Sequence, residues 1–156
     1  MGKNHAEVKL TNQTGEPITN VSYMHRYDHD VKNLGSLTVL EAGATAKIGI
    51  ATYWTGFGRT GLDFWWIQFE RGDSVYTCKD DFYCYLTAGD AKNGGPVILM
   101  VTSSNMNVAP PVSSACSVKL HSLPVLLDLI TEEHVRSGIV DEDQPEDPSK
   151  KCSSIE

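Results

Sequence analysis

Three groups of side chains in this 156-residue chain have types and spacings that chemistry can use. The first is Gly56-Phe-Gly-Arg-Thr-Gly61, a G-x-G-x-x-G. Between a strand and a helix, that pattern seats a dinucleotide pyrophosphate on the helix N-terminus. Lys47–Tyr53 before it reads as a strand, but Leu62–Phe69 after it is aromatic and poor in helix formers. It reads as a second strand. No strand with a terminal acidic residue follows about 20 residues on, where a ribose contact would stand. The glycines therefore predict a tight loop between two strands, and no NAD or FAD site.

The second group is His25-Arg-Tyr-Asp-His-Asp30. On a strand, His25, Tyr27 and His29 share one face and Asp28 and Asp30 the other. Two histidines make half a metal site, and nothing nearby in sequence supplies the remaining ligands. A solvent-facing strand end is expected, with no metal. The third group is the four cysteines, Cys78, Cys84, Cys116 and Cys152. Their spacing fits no zinc pattern. Cys78 and Cys84 flank a short loop and are the one pair close enough in sequence to suggest a bridge. Reduced thiols are otherwise expected, because no apolar leader opens the chain and a cytoplasmic location is inferred. No nucleophile elbow G-x-S-x-G occurs. No residue set argues for an enzyme, and no cofactor is expected.

The elements that must position these groups are short and β-rich. Runs at Ala6–Asn12, Thr19–Asp28, Val31–Leu40, Thr45–Trp54, Leu62–Glu70, Val75–Cys78, Phe82–Thr87, Pro96–Ser103 and Ala115–His121 alternate with turn signals. Turns recur about every 8–12 residues, the spacing of an all-β sandwich or barrel. The predicted fold is an antiparallel β-sandwich over residues 1–121. Residues 122–138 carry helical periodicity: Ser122 suits an N-cap, Pro124 a first turn and Gly138 a stop. Leu123, Leu126, Leu127, Ile130 and His134 would share one face, packed on the sandwich or a partner. Residues 139–156 are expected to be a disordered acidic tail.

Charge and length bound the function. The net charge is −7. Residues 128–156 hold 9 acidic and 3 basic residues, against 11 and 10 in residues 1–127. An acidic chain without a basic cluster excludes a nucleic-acid partner. No 18-residue apolar run exists, so no membrane-spanning helix is expected.

The unusual feature is aromatic. All three tryptophans lie within Trp54–Trp66. On a strand, Trp65, Ile67 and Phe69 share one face and Phe64 and Trp66 the other. One set must be core. The other suits contact with lipid head groups, sugars or protein. Trp54, Phe57, Arg59, Phe64 and Trp66 are the candidate ligand-binding residues.

Three stretches carry a family resemblance: "NQTGEPITNVSYMHRY", "TYWTGFGRTGLDFWWIQF" and "YTCKDDFYCYL". They contain an N-x-T-G turn at Asn12–Gly15, a T-G-F…G…D-x-W-W segment at Thr55–Trp66 and an acidic cysteine hairpin at Thr77–Cys84. In these the chain resembles the PUD family, a fungal and nematode family named for up-regulation in long-lived insulin-signalling mutants. The third stretch looks most like the fungal branch. The likeness spans about residues 6–121. It implies an aegerolysin-like β-sandwich that tends to form homodimers, and it implies no reaction. Aegerolysins bind membrane lipids, which reaches this chain only as an analogy of fold. The expected function is a non-enzymatic, lipid-binding or lectin-like module. The alternatives are a dimeric structural or stress-accumulated protein, and a metal-dependent enzyme at His25 and His29.

Overall fold

The computed structural model describes residues 2–28, 31–56 and 61–124. Ten strands and one short helix follow in order: β1 (Gly2–Asn12), β2 (Ile18–Tyr27), β3 (Val31–Leu40), β4 (Thr45–Thr55), β5 (Asp63–Arg71), β6 (Ser74–Thr77), α1 (Ala88–Asn93), β7 (Val97–Val101), β8 (Asn105–Ala109), β9 (Cys116–Lys119) and β10 (His121–Pro124). They form two five-stranded sheets, ordered β4-β1-β7-β8-β9 and β10-β6-β5-β2-β3.

Period-2 alternation puts the apolar half of the central strands between the sheets. On β5, Asp63, Trp65, Ile67 and Phe69 are buried, while Phe64, Trp66 and Gln68 are half-buried on the outer face. β2 does the same, with Val21, Tyr23, His25 and Tyr27 inside. Val8 and Leu10 of β1 and Leu99 of β7 fill the core from the opposite sheet. Along one side β3 and β4 approach closely. A Cβ on Gly35 would lie 1.9 Å from the Ile48 carbonyl oxygen, so only glycine fits there.

The structure corrects the expected architecture in several places. β1 and β7 pair in parallel, Val8 opposite Val97, so the sandwich is not wholly antiparallel. The connection from β6 to β7 crosses from one sheet to the other, and α1 lies on it. β8 and α1 were not expected. The Phe82–Thr87 run holds only an isolated bridge, Tyr83 to Phe64. Ser122–Pro124, expected to open a helix, instead pair with β6 as part of β10. The rest of the expected helix, 125–138, and the acidic tail, 139–156, lie outside the described residues.

α1 has six residues and is too short to hold itself. It is pinned by Asp90. One carboxylate oxygen accepts from the backbone N–H groups of Val112 (2.8 Å) and Ser113 (2.9 Å). The other accepts from Thr87 N (2.8 Å), Thr87 Oγ1 (3.0 Å) and Ser113 Oγ (2.6 Å). Burial pushes this carboxyl up, but the hydrogen bonds from Ser113, Thr87 and Val112 outweigh it and hold the group below its ordinary 3.8. A depressed folded-state value stabilises the fold above 3.8, and that stability is lost as pH falls through the folded value. Asp90→Asn turns one acceptor into a donor facing donors. It is expected to cost roughly 2–3 kcal/mol near neutral pH. In urea melts at stepped pH, the gap from wild type should close on the acid side. A constant gap would assign the loss to shape alone.

Candidate functional site

The aromatic block splits when the chain folds. Trp54 sits on β4 in the first sheet, and Phe64 and Trp66 on β5 in the second. The Gly56–Gly61 loop therefore carries the chain from one sheet to the other, and it leads into a strand as expected. At its exit Gly61 N donates to the Tyr27 hydroxyl (3.1 Å). A Cβ at Gly61 would stand 2.2 Å from the Tyr27 ring, so this glycine answers a tyrosine. Trp54 packs on Tyr27, ring centroids 5.2 Å apart, with the Lys3 ammonium 6.0 Å from its ring. Phe57 and Arg59 lie outside the described residues.

Phe64 and Trp66 do share one surface, the outer face of the second sheet. Strand register sets their neighbours, because directly opposed residues point to the same side. One row runs Leu34, Met24, Trp66 across β3, β2 and β5. The next runs Lys32, Arg26, Phe64 and, by the isolated bridge, Tyr83. Leu34 is 70% exposed, Tyr83 49% and Tyr85 51%. The Arg26 guanidinium stacks 4.2 Å from the Phe64 ring centre. Phe64 meets Tyr83 edge-on at 6.4 Å, and Tyr83 meets Tyr85 at 5.6 Å. The result is a cation–aromatic ladder, Arg26–Phe64–Tyr83–Tyr85, lying across the sheet. Arg26 is held in place by hydrogen bonds to the carbonyl oxygens of Asp28 (2.7 Å) and Asp80 (3.4 Å).

Beside the ladder lies an open hollow of about 470 Å³, lined by Met24, Arg26, Lys32 and Asp80. Its lining carries both signs, Arg26 and Lys32 with Asp80, and beside Asp80 in sequence the exposed Lys79 pairs with Asp81 at 3.8 Å. No single-sign field selects a strongly charged ligand. The surface offers ring faces for stacking and polar groups of both kinds at its rim.

Sequence reasoning named Phe64 and Trp66, which share this face, and did not single out Tyr83 and Tyr85 beside them. Their signal was present in Phe82-Tyr-Cys-Tyr-Leu86, which alternates buried and exposed residues with period 2. Met24, Leu34 and Arg26 had no local signal, since only strand register brings them to Trp66 and Phe64.

The histidine cluster is corrected. His25 does not face solvent. It is fully buried, with Nε2 2.7 Å from Asp63 Oδ1 and Nδ1 2.9 Å from Asn33 Oδ1. Asn33 continues to Thr52 and Thr52 to His5, a polar chain that crosses from the second sheet to the first. Burial pushes the Asp63 carboxyl above its ordinary 3.8, opposed by its bond to His25. His29 and Asp30 lie outside the described residues. Among the described residues no three His, Cys, Asp or Glu side chains gather as a metal site would need.

The cysteine expectation is corrected too. Cys84 is bonded to Cys116, not Cys78, with Cα atoms 5.9 Å apart. Cys78 is a free, buried thiol, and burial pushes it up to about 12. The expectation of reduced thiols fails for the Cys84–Cys116 pair.

Fold and surface together define a two-sheet β-sandwich with an aromatic outer face. A family model described as "Up-Regulated in long-lived daf-2" matches residues 2–124. The chain belongs to this PUD family, as its three resembling stretches suggested. No curated protein matches it. No helix among the described residues is long and apolar enough to cross a membrane.

Proposed function

We propose that the protein is a non-enzymatic binding module, and that the outer face of its second sheet recognises membrane lipid head groups or glycans. The observation that carries this is the Arg26–Phe64–Tyr83–Tyr85 ladder beside the Leu34–Met24–Trp66 row. Aromatic rings held half-exposed on a rigid sheet suit stacking on sugar rings or seating at a head-group layer. The ligand surface is thus Phe64 and Trp66 joined by Tyr83, Tyr85 and Arg26. Trp54, in the opposite sheet, is not part of it.

The test is co-sedimentation with liposomes spanning sphingolipid, sterol and anionic compositions, in parallel with a glycan array. Selective binding to one composition or glycan class is expected. Trp66→Ala and Tyr83→Ala should each weaken it about tenfold or more, the loss expected for an interface anchor. Trp54→Ala should leave it unchanged. Loss through Trp54 with Trp66 and Tyr83 neutral would overturn the assignment of the face.

A homodimer is the second reading, favoured by Leu34 on this same face, 70% exposed beside Met24 and Trp66. Light scattering at roughly tens of micromolar, a range where ordinary dimers are populated, separates the two. A dimer split by Trp66→Ala, with no ligand on either panel, would favour it.

A further inference from the structure

We propose that the Cys84–Cys116 disulfide is a thiol-controlled strap, and that its reduction releases the segment carrying Tyr83 and Tyr85 from the ladder. The consequence for binding rests on the reading of the ladder as the binding surface; the strap itself does not.

Cys84 stands between the two tyrosines, fully buried, while they project outward. Their segment, residues 79–87, belongs to no regular strand. Two backbone bonds hold it to β5, Trp65 N to Phe82 O and Cys84 N to Asp63 O, both 3.0 Å. Two side-chain bonds add to these, Trp65 Nε1 to Cys84 O and Leu86 N to Asp63 Oδ2, again 3.0 Å each. These four bonds, with the 3.4 Å bond from Arg26 to the Asp80 carbonyl, attach the segment to the second sheet. The disulfide alone ties it covalently to the first, because Cys116 opens β9, the edge strand there. Tyr83 and Tyr85 are half-exposed, and Phe82 and Leu86 are the segment's buried side chains besides Cys84. The covalent bond thus sits at the centre of the ladder's least regular element, where local opening is easiest.

The chemistry is ordinary exchange. Cys116 is partly exposed, so its sulfur is the one an outside thiolate reaches. A dithiol reductant attacks Cys116 Sγ, the Cys84–Cys116 bond breaks, and Cys84 leaves as a thiolate that takes up a proton. The second sulfur of the dithiol then attacks the mixed disulfide. Cys116 is released as a thiol and the reductant departs as its own disulfide, two electrons having passed to the protein. Cys78 does not compete, being buried and held as a thiol. Cys152, outside the described residues, is replaced by serine in a control chain.

The full chain and its Cys152→Ser variant are titrated with dithiothreitol, and amide hydrogen exchange is followed residue by residue. The expected result is exchange at Cys84, Leu86 and Trp65, the amides whose bonds the segment gives up, accelerated at least tenfold more than in β1, β2 and the rest of β5, with full recovery on reoxidation. Cys116→Ser should show the fast exchange without reductant and no response to it. Unchanged exchange at Cys84 and Leu86 in fully reduced protein would overturn the proposal. So would acceleration at Cys84 and Leu86 no greater than in the cores of both sheets, which would make the bond a global staple and nothing more. Should the Cys116→Ser chain fail to fold, reduced wild type gives the same reading. Ligand binding is measured on the same samples. A strap that opens in a chain with no ligand would leave the strap standing and remove the binding reading.

Discussion

Asp63→Ala is expected to destabilise the fold by about 3–5 kcal/mol, the cost of leaving one member of a buried pair alone. Asp63 and His25 are both fully buried. The hydrogen bonds around them fix where protons sit. Asn33 Oδ1 accepts from the backbone N–H of Thr52 at 2.8 Å, a donor that cannot reverse, so the Asn33 amide has one orientation. His25 Nδ1, 2.9 Å from that same oxygen, must then carry a proton. The 2.7 Å contact between Nε2 and Asp63 Oδ1 holds one more, on the nitrogen or on the carboxyl. Removing the carboxyl strands Nε2 and also the N–H of Leu86, which donates to Oδ2 at 3.0 Å.

Asp63→Asn is the informative companion. Its amide can donate to an unprotonated Nε2 while its oxygen still accepts from Leu86. Its cost should be only about 1 kcal/mol, since no buried group is left without a partner. The sign with pH also follows. Burial raises the Asp63 value in the folded state. Its protonation therefore contributes stability that is full below the unfolded value, near 3.8. That contribution is lost as pH rises through the folded value. Relative to wild type, Asp63→Asn should gain as pH rises. Urea melts at 25 °C check both points; equal losses for alanine and asparagine would show that packing, and not the proton network, holds this part of the core.

Much of the fold was legible because its strands obey a period of two. Trp65, Ile67 and Phe69 were assigned to one face of β5 from alternation alone, and all three are buried. What failed was decided by distance in space. His25 looked like a solvent-exposed strand end because its partner, Asp63, lies 38 residues away. Ser122 and Pro124 carry good helix-start chemistry, yet pairing with β6 draws them into a strand, a tertiary contact overriding local preference. α1 was hidden by its six residues, although Thr87-Ala-Gly-Asp90 spells its capping box. β8 was hidden because Asn105 and Asn107 are weak strand formers, and only burial of Met106 and Val108 makes that stretch a strand. The outer aromatic face was half legible for the same reason. Phe64 and Trp66 share a strand, whereas Arg26, Met24 and Leu34 join them only through register.

Removing the Cys84–Cys116 bond is the other change with a large expected effect. The cysteines are 32 residues apart. Loop-closure entropy for that separation gives a loss of about 3–4 kcal/mol when the cross-link is absent from the unfolded chain. For a domain of this size the melting temperature should fall by roughly 10 °C. Cys116→Ala isolates the bond, because Cys116 is only partly buried and little packing goes with it. Cys84→Ala adds a cavity, since Cys84 is 1% exposed and its sulfur lies within the core. The double variant should match Cys84→Ala, as the bond is lost only once. Calorimetry of the three variants under oxidising conditions gives the comparison. Near-zero loss for Cys116→Ala would mean that the unfolded chain was never constrained, and that the bond does not form in solution. Nothing in the cysteine spacing favoured this pair over Cys78 and Cys84. It follows from topology: the chain leaves the second sheet after β6, passes along β5, and comes within reach of the first residue of β9. Only a chain that makes that passage brings Cys84 to Cys116, so the pairing tests the connection between the sheets as directly as any strand register.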